Sequence, residues 1–416
     1  MWPVLAAEYF RRRNRAFCRN ACRRPANSNS LLCSRRGVNI MTRIIIGLIV
    51  ITGLSVVPAM APRAQQSNID VQALVEELAL EESAVAAREL PFWRKPEKIY
   101  IVPPGYDDEE RALQMQSARE AVGDVELVQI SYPIADEVIA AAEVLLARCT
   151  PRIIREAKNL RWLQDSRHGV DSCMIPEIQD KPFILTNSQH TSGPPIADHV
   201  VALMTMLTRG LHNFHRIQLQ GEWKDRPIEF PMLELNGKTM LVVGLGGVGT
   251  AVAKRAKGLG MSVLAIRNSS RSGPDFVDYV GLADELHELA GQADVIVNAL
   301  PLTDATRGLF NTAFFDVAKR GAYFISVGRG ESTVTADLIA ALKDGRLTAA
   351  GLDVTDPEPL PAGHELWSLP NVVITPHVAA STDQGRWRRW MVVQENLRRY
   401  VNGEKMLNVV DVSRGY

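Results

Sequence analysis

"TMLVVGLGGVGTAVAKRAKGLG", residues 239–260, runs from a β-prone apolar segment through three glycines in GxGxxG spacing into an Ala/Val-rich helical segment. A glycine triplet alone arises by chance in many chains, and its weight comes from the strand before it and the helix after it. Gly244 permits the tight turn, Gly246 lets a backbone approach a pyrophosphate, and Gly249 lets helix and strand pack closely. The helix start adds free N–H groups and a partial positive charge. The stretch therefore reads as the phosphate cradle of a dinucleotide-binding α/β fold.

Working outward, strand-like runs recur at "TMLVVG", "SVLAI", "DVIVNA", "AYFISV", "LTAAGLDV" and "VVIT", most of them separated by helical segments. Six strands in this rhythm predict a doubly wound parallel sheet. Upstream, "KIYIV" (98–102), "VELVQIS", "AEVLLAR", "RWLQD" and "FILTNS" alternate with helical material in the same way and predict a second parallel α/β lobe. One long helix is expected from Ile196 to Leu219, leading out of that lobe. "VQALVEELALEESAVAAREL" within 66–97 has apolar positions at helical spacing and reads as a helical extension, and "WRRWMVVQENLRRYV" reads as a closing helix. The expected boundaries are 1–65 for an N-terminal targeting region, 66–97 for the extension, 98–198 with 382–416 for the first lobe, and 199–381 for the nucleotide lobe.

At 416 residues the chain accommodates two domains, and 47 basic against 47 acidic residues give no electrostatic case for a nucleic-acid partner. Through Arg43 there are ten arginines against one acid, followed by the 14-residue apolar run Ile44–Val57 and small residues at Ala59, Ala61 and Ala64. This pattern reads as an export signal, or as a membrane anchor if the apolar run extends over 44–61. "SRRGVNI" (34–40) is similar to a twin-arginine signature, a route that carries folded proteins. An Arg-rich transit peptide, or translation from Met41 with a cytoplasmic product, stays open. Cleavage near Ala61 leaves Cys149 and Cys173, which are expected as free thiols because no CxxC pair or disulfide framework is present. His212 and His215 lie three apart without a third ligand, so no metal is expected. Trp387 and Trp390 read as packing residues.

Where an acid would meet the two ribose hydroxyls of NAD, the end of "SVLAI" offers Arg267 and then "NSSR". A guanidinium pairs with a 2′-phosphate that a carboxylate would repel. Arg267, Ser269 and Arg271 therefore point to NADP, with NAD possible through other contacts.

From Lys98 to about Asn408 the chain resembles the D-isomer-specific 2-hydroxyacid dehydrogenases. The resemblance rests on "GLGGVG", "LPLTDATRGLF", "SVGRG", "GLDVTDPEPLP" and "TPHVAAS" in family order, with "ENLRRYVNGEKMLNVV" similar to the closing segment. It implies a flavodoxin-like substrate domain beside the nucleotide domain, a homodimer, and hydride transfer between NAD(P)H and a 2-oxo acid. It implies a triad of Arg329 to bind the substrate, Glu358 to favour the imidazolium, and His377 as general acid and base. It further implies cofactor contacts at Gly244, Gly246, Gly247, Val248, Gly249, Leu300, Pro301, Thr306, Val327 and Asp353. "SRHGVD" is similar to the loop whose backbone holds the substrate carboxylate, which marks His168 and Gly169; the family usually has a smaller residue where His168 stands. Asp198 stands where Glu is common. Two other readings share this fold: a formate dehydrogenase, against which Glu358 argues, and a dinucleotide-sensing corepressor, which an export signal fits poorly.

Overall fold

A computed structural model describes residues 71–105, 107–224 and 232–414. The export motif at 34–64 and the anchor reading of 44–61 lie outside the described residues. Among the described residues no helix is long and apolar enough to cross a membrane.

The first lobe is a five-stranded parallel sheet. Its strands are β1 Lys98–Ile101, β2 Glu126–Gln129, β3 Val144–Leu146, β4 Trp162–Gln164 and β5 Ile184–Thr186, in the order β2-β1-β3-β4-β5. Strands β3, β4 and β5 are buried along their whole length. That is why they read as continuous apolar runs rather than alternating ones. The closing helix Asp383–Val401 returns to cover one face of this sheet. Trp162 stacks on Tyr400 with ring centroids 4.7 Å apart, and its indole N–H donates to Thr186 Oγ1 at 2.8 Å. Trp390 is buried and donates to Ser117 Oγ at 2.9 Å, while Trp387 packs at the edge of the same cluster.

The second lobe is a seven-stranded parallel sheet, one strand more than the sequence suggests. Its strands are β6 Thr239–Val243, β7 Ser262–Ile266, β8 Tyr279–Gly281, β9 Val295–Asn298, β10 Ala322–Ser326, β11 Leu347–Leu352 and β12 Val372–Ile374. The order β12-β11-β10-β9-β6-β7-β8 reverses direction between β6 and β9, which makes the carboxyl end of β6 the switch point where a ligand crevice forms. The additional strand, β8, is a three-residue edge element whose first residue, Tyr279, is exposed. So short a segment carries too little apolar pattern to be read from sequence. Apolar clusters cover both faces of the sheet.

Three expectations are corrected. The helix expected over 196–219 is two helices, Gly193–Thr208 and Leu211–Leu219, separated where Gly210 takes a left-handed φ of 65°. Helical apolar spacing continues across the break, so periodicity alone does not reveal it. Among the described residues the N-terminal extension is α-helical over Val71–Glu77, with one 3-10 turn at Ala87–Glu89. It then runs extended against 403–408, with Ser83 N–H donating to the Met406 carbonyl at 2.8 Å and Ala87 N–H to that of Glu404 at 2.9 Å. Arg399 fixes this contact by donating to Glu82 at 2.6 Å and to Glu395 at 2.7 Å. Finally, Cys149 and Cys173 form a disulfide with Cα atoms 5.6 Å apart rather than remaining free. Their 24-residue separation hides a close approach, because the chain passes along β4 and folds back beside the end of β3.

Replacing Trp162 by Ala removes a fully buried ring, its stacking on Tyr400 and a satisfied hydrogen bond. Urea unfolding followed by far-UV circular dichroism is expected to show a loss of about 3–5 kcal/mol. A loss under 1 kcal/mol would show that the closing helix is held elsewhere.

Candidate active site

The carboxyl ends of β10, β11 and β12 lie side by side, and each opens into a turn that carries one polar residue of interest. Arg329 follows β10, Glu358 follows β11 and His377 follows β12. Parallel neighbours end on the same edge, so residues 19 to 48 positions apart in sequence reach one place.

Asp353, buried at the end of β11, organises the turn after β12. Its carboxylate accepts from Thr375 Oγ1 at 2.6 Å, from Val378 N–H at 2.9 Å and from Ala379 N–H at 3.0 Å. Its carbonyl accepts from His377 N–H at 2.8 Å. Held in this way, His377 takes a left-handed φ of 53°, a conformation that costs a non-glycine residue of order 1 kcal/mol. The imidazole Nδ1 then meets Glu358 Oε1 at 2.7 Å. With Nδ1 so engaged, Nε2 is the nitrogen left to exchange a proton with a substrate. His199, which the sequence does not single out, supports the turn from behind: its Nε2 lies 2.8 Å from Thr375 Oγ1.

The Arg329 turn packs directly on the Glu358 loop. A Cβ at Gly330 would lie 1.9 Å from the Thr355 carbonyl oxygen, so only glycine fits there. Ser332 Oγ donates to the Arg329 carbonyl at 2.6 Å, and Asn298 donates to Ser332 Oγ at 2.7 Å and to Ser326 Oγ at 3.0 Å. From the first lobe, Asp171 faces the guanidinium of Arg329, which donates to both carboxylate oxygens at 3.4 Å. A Cβ at Gly169 would lie 1.8 Å from Arg329 Nη2. The "SRHG" loop and the arginine are therefore in contact, and glycine at 169 is what makes room.

His168 is anchored by Asn187, which donates to its carbonyl at 2.7 Å, and its ring Nε2 meets Thr191 Oγ1 at 3.1 Å and Ser192 Oγ. Burial, with the positive charges of Arg389, Arg329 and His377 adding to it, drives its pKa from 6.5 down to about 3. The ring is thus neutral at working pH and can serve as a hydrogen-bonding wall. Arg389, on the closing helix, is a second residue that sequence reading does not single out here.

The glycine cradle has the expected shape. Gly244 has φ 101° and its missing Cβ would lie 2.9 Å from the Ala299 carbonyl oxygen. At Gly249 a Cβ would lie 1.9 Å from the Gly244 carbonyl oxygen. Around Gly246, just ahead of the helix Gly247–Gly258, nothing lies within 4 Å of a Cβ position, which leaves space for a phosphate group. Gly247 is roofed by His190, whose Nδ1 would lie 2.8 Å from an added Cβ, and Val248 packs on the apolar cluster beneath. The residues therefore fit a dinucleotide. Beyond β7, Arg267 donates to Ser269 Oγ at 3.0 Å and to the Ser272 carbonyl at 3.2 Å, while Arg271 pairs with Glu285 at 2.6 Å. Arg267 and Ser269 are thus brought together, and Arg271 is held by an acid. Across the cleft, a Cβ at Gly328 would lie 2.6 Å from the Leu300 carbonyl oxygen, and Val327 N–H donates to the Asn298 carbonyl at 3.0 Å. Thr306 Oγ1 donates to the Pro301 carbonyl at 2.7 Å, so it shapes that loop. His212 is buried and its ring Nδ1 lies 3.3 Å from the Met206 carbonyl. Among the described residues no three His, Cys, Asp or Glu side chains gather as metal ligands.

Residues 201–379 match the family model described as "D-isomer specific 2-hydroxyacid dehydrogenase, NAD binding domain". The chain is 30% identical over 302 residues to a glyoxylate reductase of Pyrococcus furiosus, a match that covers 71% of this chain and 85% of that protein. It superposes on the crystal structure of a D-isomer specific 2-hydroxyacid dehydrogenase family protein from Aeromonas salmonicida with TM-score 0.66 and 28% identity, covering 77% of this chain and 100% of that one. An NADPH-dependent glyoxylate/hydroxypyruvate reductase from Sinorhizobium meliloti, solved with NADP and sulfate, gives TM-score 0.62 at 25% identity over the same shares of the two chains.

The neutral His168 has a measurable consequence. The unfolded chain binds its proton near pH 6.5 and the folded one only near 3, so this group's stabilisation is complete above 6.5 and is lost as pH falls toward 3. In a histidine-labelled sample the His168 ring is expected to show no NMR titration between about pH 5 and 8. An inflection near the ordinary histidine value would mean that the loop is open to water.

Proposed function

Because the chain belongs to the D-isomer-specific 2-hydroxyacid dehydrogenase family and is an NAD(P)-dependent oxidoreductase of 2-oxo and 2-hydroxy acids, we propose that Arg329, Glu358 and His377 are its catalytic residues and that NADP is its preferred nucleotide. The observation that carries the reading is the 2.7 Å bond between His377 and Glu358 on the strand edge that also bears Arg329.

The bound nicotinamide supplies the hydride in reduction and takes it up in oxidation. Arg329 holds the substrate carboxylate and polarises the carbonyl as a fixed cation, with the backbone of the His168–Gly169 loop beside it. As carbon 2 gains hydride, the carbonyl π bond breaks and its oxygen takes a proton from His377 Nε2. Glu358 keeps the ring oriented and stabilises the imidazolium before that transfer. In oxidation each of these moves reverses. Asp353 has both carboxylate oxygens committed to the His377 turn, so its role is to position that turn, and a contact to the carboxamide of the nicotinamide comes second.

The preference for NADP rests on Arg267 with Ser269 at the end of β7, where a carboxylate would suit NAD. The Sinorhizobium meliloti relative, solved with NADP, supports the same choice. We also propose export to an oxidising compartment. The disulfide between two fully buried cysteines supports it, since such bonds are rare where thiols are kept reduced. Anchoring through 44–61 and homodimer assembly are proposed on the sequence alone.

Purified protein given NADPH or NADH with glyoxylate, hydroxypyruvate or phenylpyruvate is expected to consume the reduced nucleotide. Failure with all three acids and both nucleotides overturns the reading. His377→Gln is expected to lower kcat by about 10²- to 10⁴-fold, and Glu358→Gln by less, with NADPH binding retained in both. Arg267→Gln is expected to raise the KM for NADPH by about tenfold or more while the KM for NADH changes little, as loss of a charge-assisted hydrogen bond would do. Equal effects on the two nucleotides would remove Arg267 from the 2′-phosphate site.

A further inference from the structure

We propose that His199, on the helix Gly193–Thr208, is a positioning residue of the reaction. It gives its Nε2 hydrogen to Thr375 and so directs the Thr375 hydroxyl onto Asp353, which sets the turn that aims the His377 ring. The inference rests on the active site as read above and adds to it a residue outside the triad.

The assignment follows from counting hydrogens. Thr375 has one hydroxyl hydrogen and two lone pairs. Its Oγ1 lies 2.6 Å from Asp353 Oδ1 and 2.8 Å from His199 Nε2. Asp353 is buried and takes a backbone N–H on each oxygen, Val378 at 2.9 Å on Oδ1 and Ala379 at 3.0 Å on Oδ2, so it acts as an acceptor. The hydroxyl hydrogen therefore goes to Asp353, and toward His199 the same oxygen can only accept. That places a hydrogen on His199 Nε2. The direct separation of His199 Nε2 from Asp353 Oδ1 is 3.6 Å, too long for a hydrogen bond, so the hydroxyl is the link between them. Both the neutral ring of this tautomer and the imidazolium carry that N–H, and the contact does not depend on the charge of His199.

Thr375 is the first residue after β12 and opens the turn that carries His377. Its N–H donates to the Leu352 carbonyl at 2.9 Å, and its own carbonyl accepts from His377 N–H at 3.0 Å. The residue is thus tied to β11 through its backbone, and to Asp353 and His199 through its side chain. Without the imidazole donor the hydroxyl is free to rotate away from Asp353, and the left-handed backbone at His377 loses part of its support. A proton donor works only within hydrogen-bond reach of its target, so a small swing of the ring slows the transfer. His199 also belongs to an element with a second duty. Six residues earlier the same helix begins at Gly193, where a Cβ would lie 2.8 Å from the Gly247 carbonyl oxygen of the cradle. One helix therefore touches both the phosphate cradle and the turn of the proton donor. His199 places that turn relative to the nucleotide, which contacts within the turn alone do not do.

The test uses the full-length protein with NADPH and whichever of glyoxylate, hydroxypyruvate and phenylpyruvate the wild type reduces. His199→Phe keeps a ring without the donor, His199→Gln keeps an N–H, and Thr375→Val keeps the shape without the hydroxyl. In His199→Phe and in Thr375→Val kcat is expected to fall by about tenfold, the worth of one hydrogen bond, with the KM for NADPH within about twofold of wild type. His199→Gln is expected to recover most of the loss. The double variant His199→Phe/Thr375→Val should be no slower than Thr375→Val alone, because both changes break one chain of contacts. In a histidine-labelled sample the His199 ring, identified among the eight histidines by its absence from His199→Gln, should carry a hydrogen on Nε2. A bare Nε2, an unchanged kcat in His199→Phe, or losses that add in the double variant each overturn the proposal. So does a rise in the KM for NADPH in place of the loss of kcat, since the helix would then act on the cradle alone. Should His199→Phe not fold, a wild-type kcat in Thr375→Val overturns it, because the hydroxyl is the link. Each of these results leaves the catalytic reading standing, whereas a wild type that reduces none of the three acids ends both.

Discussion

The active-site edge depends on a single buried carboxylate. Asp353 is buried at the end of a strand that is enclosed at all but one of its residues, where an unpaired negative charge would be very unfavourable. It is satisfied by two backbone N–H groups and a hydroxyl from the turn after β12, and that satisfaction draws the turn back over the strand end. The cost of the left-handed backbone at His377 is offset by the same bonds. A turn of the same length without this anchor would relax His377 to an ordinary φ and swing its ring off Glu358. The position of the His377 ring against Glu358 thus begins with the burial of a carboxylate on the neighbouring strand end.

The two lobes meet through missing side chains. Gly169 lies under Arg329, and Gly193 lies against the Gly247 carbonyl, where a Cβ would sit at 2.8 Å. Gly247 in turn lies under His190. These contacts bring the backbone of the first lobe against both the arginine and the phosphate cradle. A methyl group at Gly193 would meet the Gly247 backbone and force the two to separate, whereas at Gly169 and Gly247 it would first displace the side-chain ends of Arg329 and His190. The substrate loop and the nucleotide cradle are therefore positioned by one continuous interface, so movement of either is felt by the other.

What the sequence made legible follows from how local each signal is. The cradle is a continuous strand, turn and helix whose three glycines fall within six residues, so it could be read directly. Arg329, Glu358 and His377 are each unremarkable in place. Only the resemblance linked them, because their proximity comes from the parallel order of β10, β11 and β12. The break at Gly210, the short β8 and the Cys149–Cys173 bond escaped for a different reason. Each is decided by tertiary neighbours: a backbone turn, a sheet edge and a loop that folds back. Asp353 was read as a cofactor contact because its position is visible in sequence, whereas the donors that claim its oxygens lie more than twenty residues away.

The disulfide acquires a purpose from the shortness of the strands beside it. Both β3 and β4 are three residues long, so few ladder bonds hold the loops that leave them. Yet the loop after β4 must hold Gly169 and Asp171 steady against a guanidinium. Its far side is tied down repeatedly. Asp165 accepts from Cys149 N–H at 2.8 Å, while Arg167 bonds both to Asp165 and to the Cys149 carbonyl. Ser172 reaches the same carbonyl, and the next residue, Cys173, closes the covalent link. All of these contacts converge on Cys149, which the loop meets at Ser172 and Cys173 directly after Asp171, the residue that faces Arg329. A loop fixed by a covalent bond and a partly buried ion pair holds Gly169 and Asp171 against Arg329 with little freedom to move. That is the form of preorganisation an arginine clamp requires, because a donor that must first be ordered gives up affinity for the anion it is meant to hold.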